Sequence, residues 1–172
     1  DPSLSLKEAH DILDEAETVL HEPDDRSRLA YLRLKGRVAQ HRLQDALDVG
    51  LRALDELGEP LPHDAGKPRM VNALVRMRFT VRHWTTEQLL QLPQCEDRRV
   101  VEIQRILAEL RSVSYISGPN LFPLIVRKQL ELTLTYGHTP SLPLVLVSYG
   151  VLLAMTGDRA GAQRFGEIAL LL

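Results

Sequence analysis

From Ser141 to Gly157 the chain runs seventeen residues without a charged side chain, and no other stretch limits the fold as much. Leu142, Val145, Leu146, Val147, Leu152 and Leu153 make it apolar on every side, and a helix of that kind has to be covered by neighbours. It is too short to cross a bilayer, which takes about 20 apolar residues, and Pro143, Ser148 and Gly150 interrupt it. Gly157-Asp158 forms a hinge, and Ala160–Leu172 reads as a second helix. Segment 144–151 also has the composition of a strand, but its helical surroundings and the Gly157 stop favour a helix.

The second helix carries Ala162, Gly166 and Ala169, small residues that let a neighbouring helix approach closely. The same Ala-x3-Gly-x2-Ala spacing stands 116 residues earlier at Ala46, Gly50 and Ala53, with a weaker copy at Ala9, Leu13 and Ala16. Small residues recurring against bulky partners are the mark of a helix-pair repeat.

The rest of the chain is punctuated accordingly. Leu4–Leu20 keeps helical apolar spacing, opened by the capping box Ser5/Glu8. Asp24 or Asp25 caps a helix to about Arg42. A third, Leu43–Leu57, stops at Gly58 with Pro60 and Pro62 beyond. Pro68 suits the first turn of a helix to His83, with Val71, Leu74, Val75 and Val81 expected in the core. Thr85 or Thr86 opens a short helix through Leu92. Asp97 opens a long one to Ile116 with Val100, Ile103, Ile106, Leu107 and Leu110 as its stripe. A helix after Gly118-Pro119-Asn120 ends at Gly137. About nine helices and no strand are expected: an all-α chain forming a single repeat domain over 1–172.

At 172 residues the chain has room for one sizeable core, and an aromatic share of 5% requires that core to be rich in Leu, Val and Ala. A net charge of −2 gives no footing for nucleic acid or a membrane surface. Its distribution is uneven: residues 1–66 hold 15 acids and 8 bases, residues 67–172 hold 8 acids and 13 bases. A single cysteine, Cys95, excludes an internal disulfide and fits a reducing, cytoplasmic setting. With no initiating Met and helical patterns at both ends, the sequence is expected to be a piece of a longer chain.

Chemical motifs are sparse. There is no Gly-x4-Gly-Lys-Ser/Thr phosphate loop and no Gly-x-Ser-x-Gly elbow. The histidines lack ligand spacing on any helix, so neither metal nor cofactor is expected. Arg98 and Arg99 beside Cys95 suit a thiol of lowered pKa, although an ordinary loop cysteine is favoured. Asp11, Asp14, Glu15 and Glu17 form a solvated helix face. The segment 67–83 carries Arg69, Arg76, Arg78 and Arg82 and no acid. Arg69, Arg76 and Arg82/His83 recur at about seven-residue spacing and are expected to share one side, a candidate grip on an acidic partner.

The helix pairs at 26–58 and 141–172 resemble tetratricopeptide (TPR) repeats, with Gly150, Gly157, Ala162 and Ala169 where that repeat wants small residues. Across nearly the whole chain the marks are Ala46-Leu47, Gly50-Leu51, Ala53-Leu54, Leu61-Pro62 and Leu89-Leu90-x-Leu92-Pro93. They continue with Tyr136-Gly137-His138-Thr139-Pro140, Tyr149-Gly150, Gly157-Asp158 and Phe165-Gly166-x-x-Ala169-Leu170. In order and spacing these resemble the helical region after the AAA-type ATPase module of large bacterial signalling proteins, which often begin with a serine/threonine kinase domain and end with a sensor histidine kinase. Gln94–Arg98 departs from the Asp-Pro helix start usual there, and His138 replaces an Asn. The resemblance implies a right-handed α-solenoid, TPR-like at both ends and irregular in the middle. It also implies a non-catalytic interaction and regulatory role; the ATP-binding and kinase motifs belong to other parts of such proteins.

In the TPR frame, Arg28, Tyr31, Lys35 and Val38 become inner-groove positions, and Tyr31 and Lys35 replace the Lys and Asn of a peptide-carboxylate clamp. The equivalent positions of the last pair, Val147, Val151 and Ala154, are apolar and suit an amphipathic helix or neighbouring helices of the fold. A homodimer through Ser141–Leu172 or the first helix is a further expectation. The alternative class is a small-molecule effector-sensing helical domain of an ATPase-type transcription regulator. A closed pocket near Tyr115, Asn120, Tyr136 and Tyr149 would mark it.

Overall fold

A computed structural model describes residues 23–172, with side chains from residue 26 onward. The helix expected at Leu4–Leu20, with its Ala9/Leu13/Ala16 copy, lies outside the described residues. Within them are eight helices and no strand. These are α1 (Pro23–Ala39), α2 (Leu43–Glu56), α3 (Lys67–Val81), α4 (Thr86–Leu90), α5 (Arg98–Ser117), α6 (Phe122–Tyr136), α7 (Leu142–Met155) and α8 (Arg159–Leu171). Segment 144–151 is helical.

The helix ends follow local chemistry. Thr85 and Gln88 cap α4 reciprocally, the Gln88 N–H donating to Thr85 Oγ1 at 3.2 Å and the Thr85 N–H to Gln88 Oε1 at 2.9 Å. Asp97 accepts from the Val100 N–H at 3.1 Å and Asp158 from the Gly161 N–H at 2.9 Å, so α5 and α8 begin at carboxylate caps. Gly58 turns at φ 75° and lets the Glu59 N–H reach back to Leu54 O at 2.8 Å. The same α2 end is closed from outside: Arg99 donates to Leu57 O through Nε at 2.9 Å and also through Nη2.

Consecutive helices pair as α1–α2, α5–α6 and α7–α8, and each pair meets the next through α2 and α1 on α5 and through α6 on α7. The chain between the first two pairs departs from that succession: α3 lies against α6 and α4 against α8. An unforeseen link fixes the end of that excursion. Residues 93–95 run beside the turn after α6, the Cys95 N–H donating to His138 O at 2.9 Å and the His138 N–H to Pro93 O at 2.8 Å.

Two apolar clusters result. Leu34, Leu47, Leu54, Ile103, Leu107 and Leu110 anchor the first, between α1, α2 and α5. Met77, Leu89, Val126, Leu146, Tyr149 and Phe165 anchor the second, between α3, α4, α6, α7 and α8. Helix α6 serves both, with Ile125 in one and Val126 in the other. A buried polar seam joins α5 to α6. Gln104 Nε2 donates to Thr133 Oγ1 at 3.1 Å, Gln129 Nε2 to Gln104 Oε1 at 3.2 Å, and Arg111 Nη1 to Gln129 Oε1 at 3.0 Å.

The two Ala-x3-Gly-x2-Ala segments are not equivalent. A β-carbon on Gly50 would lie 2.6 Å from Leu110 Cδ2, so this glycine does admit α5. On Gly166 it would meet nothing within 4 Å. The close approach in the last pair comes from Gly150 instead, whose β-carbon would sit 3.2 Å from Ala162 O.

Candidate functional site

Helix α3 has apolar residues on both of its faces. Ala73, Met77 and Val81 recur every fourth residue and are buried. Val71, Val75 and Phe79 recur at the same spacing, two residues out of step, and are 52%, 48% and 57% exposed. The sequence expectation that Val71 and Val75 serve the core is therefore wrong. At 3.6 residues per turn a two-residue offset is about 200°, which puts the two stripes on opposite sides. Only one can face α6.

Arginines border the exposed stripe. On one flank a cleft of about 410 Å³ lies between α3, α7 and α8, with Arg78, Arg82 and Arg164 around Phe79, Tyr149 and Phe165. Arg78 Nη2 pairs with Asp158 Oδ2 at 2.6 Å. The Arg82 guanidinium stacks 4.8 Å from the Phe79 ring centre and its Nε donates to His83 Nε2 at 2.7 Å. Arg164 Nη2 donates to Trp84 O at 2.6 Å while the guanidinium lies 5.1 Å from the Phe165 ring centre. Tyr149, 3% exposed, meets Phe165 edge-on at 4.8 Å. Burial pushes its phenol up to about 12, so it stays a neutral donor.

Asp158 is held below the usual carboxylate range, first by the Gly161 N–H and then by Arg78. One carboxylate thus faces three guanidiniums across an aromatic floor. The chemistry this permits is recognition of an acidic, partly apolar partner.

On the other flank Arg69 and Arg76 border a second cleft, of about 490 Å³, with Asn72, Leu124 and Arg127. The expected single face of Arg69, Arg76 and Arg82 is thus split. Arg82 stands six residues past Arg76, about 240° around the helix, and joins Arg78 and Arg164 instead. None of Arg69, Arg76 or Arg82 forms an ion pair among the described residues.

The α1 candidates sit elsewhere. Tyr31 donates to Glu109 Oε1 at 3.3 Å and Lys35 Nζ lies 3.8 Å from the same oxygen, so α5 already occupies what an open groove would offer there. Arg28 is exposed on α1. Cys95 is buried and its sulfur lies 3.8 Å from Asp97 O, while Arg99 is committed to Leu57 O. Among the described residues no group of three His, Cys, Asp or Glu side chains is placed to hold a metal ion, and no helix is long and apolar enough to cross a membrane.

Arg164 and Tyr149 are the cleft residues that sequence reasoning did not place beside Arg82. Tyr149 looked like a pocket residue shared with Tyr115, yet the two line different open clefts. No protein family, characterised protein or solved structure was found to match the chain.

Proposed function

We propose that this chain is a non-catalytic protein–protein interaction and regulatory scaffold module of a cytoplasmic multi-domain kinase/ATPase signalling protein. In this view it is a right-handed, TPR-like α-solenoid that docks a protein partner or another domain of the same chain. The observation that carries the proposal is the Val71–Val75–Phe79 stripe. Three large apolar side chains stand in water on a helix that has no acid and is flanked by Arg76, Arg78 and Arg82. Exposed apolar surface rimmed by charge of one sign is characteristic of a docking surface. The succession of helix pairs α1–α2, α5–α6 and α7–α8 supports the solenoid, with α3 and α4 as an excursion that presents the stripe. Open clefts favour a macromolecular partner over the effector-sensing alternative, since Tyr115 and Tyr149 border separate surfaces.

The test is quantitative affinity capture with the wild-type chain and with Val75→Ser/Phe79→Ser as baits, their thermal midpoints measured in parallel. A partner retained by the first and lost from the second, at unchanged midpoint, supports docking on α3. Identical capture profiles contradict it.

A further inference from the structure

A second surface, on the opposite side of α7 from the arginine cleft, carries a more specific instruction. A groove of about 360 Å³ runs between α5 and α7, bordered by Tyr115, Phe122, Leu144, Val147 and Val151, with Arg111 at its base. Tyr115 meets Phe122 edge-on at 5.3 Å and forms the end wall.

Arg111 is only 6% exposed. Its one side-chain hydrogen bond among the described residues is the 3.0 Å donation from Nη1 to Gln129 Oε1. A guanidinium has five N–H donors and keeps its charge when buried, so most of its donor capacity is unspent within the chain. Burial lowers its pKa from the ordinary value, and Glu109 opposes that shift. Yet the Glu109 carboxylate is engaged on the α1 side by Tyr31 and Lys35. The groove's two serine hydroxyls are also committed, Ser148 donating to Leu144 O at 2.7 Å and Ser112 to Ala108 O at 3.4 Å. No nitrogen of Arg111 is buried without a partner, so its spare donors open to the groove that it lines, where the carboxylate of a partner can take them.

The walls select the anion and its carrier. One guanidinium in apolar surroundings balances a monoanionic carboxylate; a phosphate dianion would leave an uncompensated negative charge. Leu144, Val147, Val151 and Met155 continue along α7 at helical spacing, all exposed. Their eleven-residue span is about 16 Å. That is three turns of a facing helix, more than a small molecule in the groove would cover.

We propose that the α5–α7 groove docks an amphipathic helix of a protein partner whose apolar face carries one Asp or Glu, paired with Arg111. This rests on the interaction-module function and specifies a surface separate from α3.

The experiment is selection from a displayed library of 18-residue amphipathic helices, randomised on the apolar face, against the full chain, followed by titration of the enriched peptides. The expected result is a family with a single acidic residue among apolar ones. Its members should bind about 10- to 100-fold more weakly when that residue becomes Asn or Gln, or against Arg111→Met. Arg111→Lys should restore only part of the affinity, because it lacks the fork. Val147→Glu changes an exposed side chain and adds a repelling charge; it should abolish binding while leaving the thermal midpoint in place, which covers the case of Arg111→Met failing to fold. Absence of any enriched peptide, or binding indifferent to the acid and to Val147→Glu, overturns the inference. Peptides that depend on Val75 and Phe79 but not on Arg111 overturn it while leaving the α3 docking surface intact.

Discussion

Gly50 and Gly166 hold the same place in the same three-residue pattern, yet replacing each by alanine should move stability in opposite directions. Alanine at either site gains about 1 kcal/mol of helix propensity over glycine. At Gly50 the new β-carbon falls 2.6, 2.8 and 3.0 Å from Cδ2, Cγ and Cδ1 of Leu110, a side chain with no exposure. Three contacts on one branched group leave no rotamer escape, so α2 and α5 must separate locally, an overpacking cost of about 2–3 kcal/mol. The net effect of Gly50→Ala is a loss of about 1–2 kcal/mol. At Gly166 nothing stands within 4 Å, so Gly166→Ala should gain about 0.5–1 kcal/mol. For a chain of this length the corresponding shifts in melting temperature are about 3–6 °C down and 1–3 °C up. Thermal and urea unfolding followed by helical circular dichroism would read both, with the urea slope checked for constancy. Equal destabilisation at the two sites would refute the distinction between a glycine that admits a helix and one that does not.

Further outcomes follow from the turns, the caps and the last helix. Gly137→Ala should cost about 3 kcal/mol, because φ is 102° and the β-carbon would lie 2.3 Å from Pro93 O, breaking the Pro93–His138–Cys95 link. Gly157→Ala, at φ 86° with open space around it, should cost only about 1 kcal/mol, and a urea titration giving equal losses would contradict this. The depressed pKa of Asp158 means that its contribution is complete above the ordinary value of 3.8 and is lost as pH falls through the folded value. Asp158→Asn should therefore flatten the acid limb of a stability–pH curve below about pH 4 and leave its shape near neutrality unchanged. Leu170 and Leu171 are exposed at the end of α8, so sedimentation velocity should show concentration-dependent association that Leu170→Glu/Leu171→Glu removes. A clean monomer at high concentration would argue against it.

What was legible in the sequence was the punctuation. Gly58, Asp97, Gly137 and Asp158 each act where they stand, because a cap or a left-handed turn depends on one residue and its immediate neighbours. Helix order and all-α class follow from those marks. Facing direction is different. Helix α3 offers two equally spaced apolar stripes, and which one is buried depends on α6, more than forty residues further on. The same holds for Gly50 and Gly166, whose identical spacing says nothing about whether a Leu110 waits opposite.

The Gln104–Gln129–Arg111 seam was invisible for a related reason. Polar residues in a helix read as solvent-facing, and only the pairing of α5 with α6 turns them inward, where each requires a partner. Arg111 spends one donor on Gln129 there and keeps the others for the groove, and a composition-level reading cannot register that. The arginine cleft joins Arg78 of α3 and Arg82, just past its end, to Arg164 of α8, a juxtaposition set by tertiary packing alone.

The most direct test of the docking surface is site-specific photo-crosslinking in cells of the source organism. A photoreactive amino acid would be placed at Phe79, with the exposed Asp55 on α2 as the control position. A discrete crosslinked protein partner, or an intramolecular product with another domain of the same chain, should form at Phe79 and not at Asp55. It should disappear when Arg78 and Arg82 are changed to Glu. Products equal at both positions, or insensitive to the charge reversal, would contradict the claim that α3 is a docking surface.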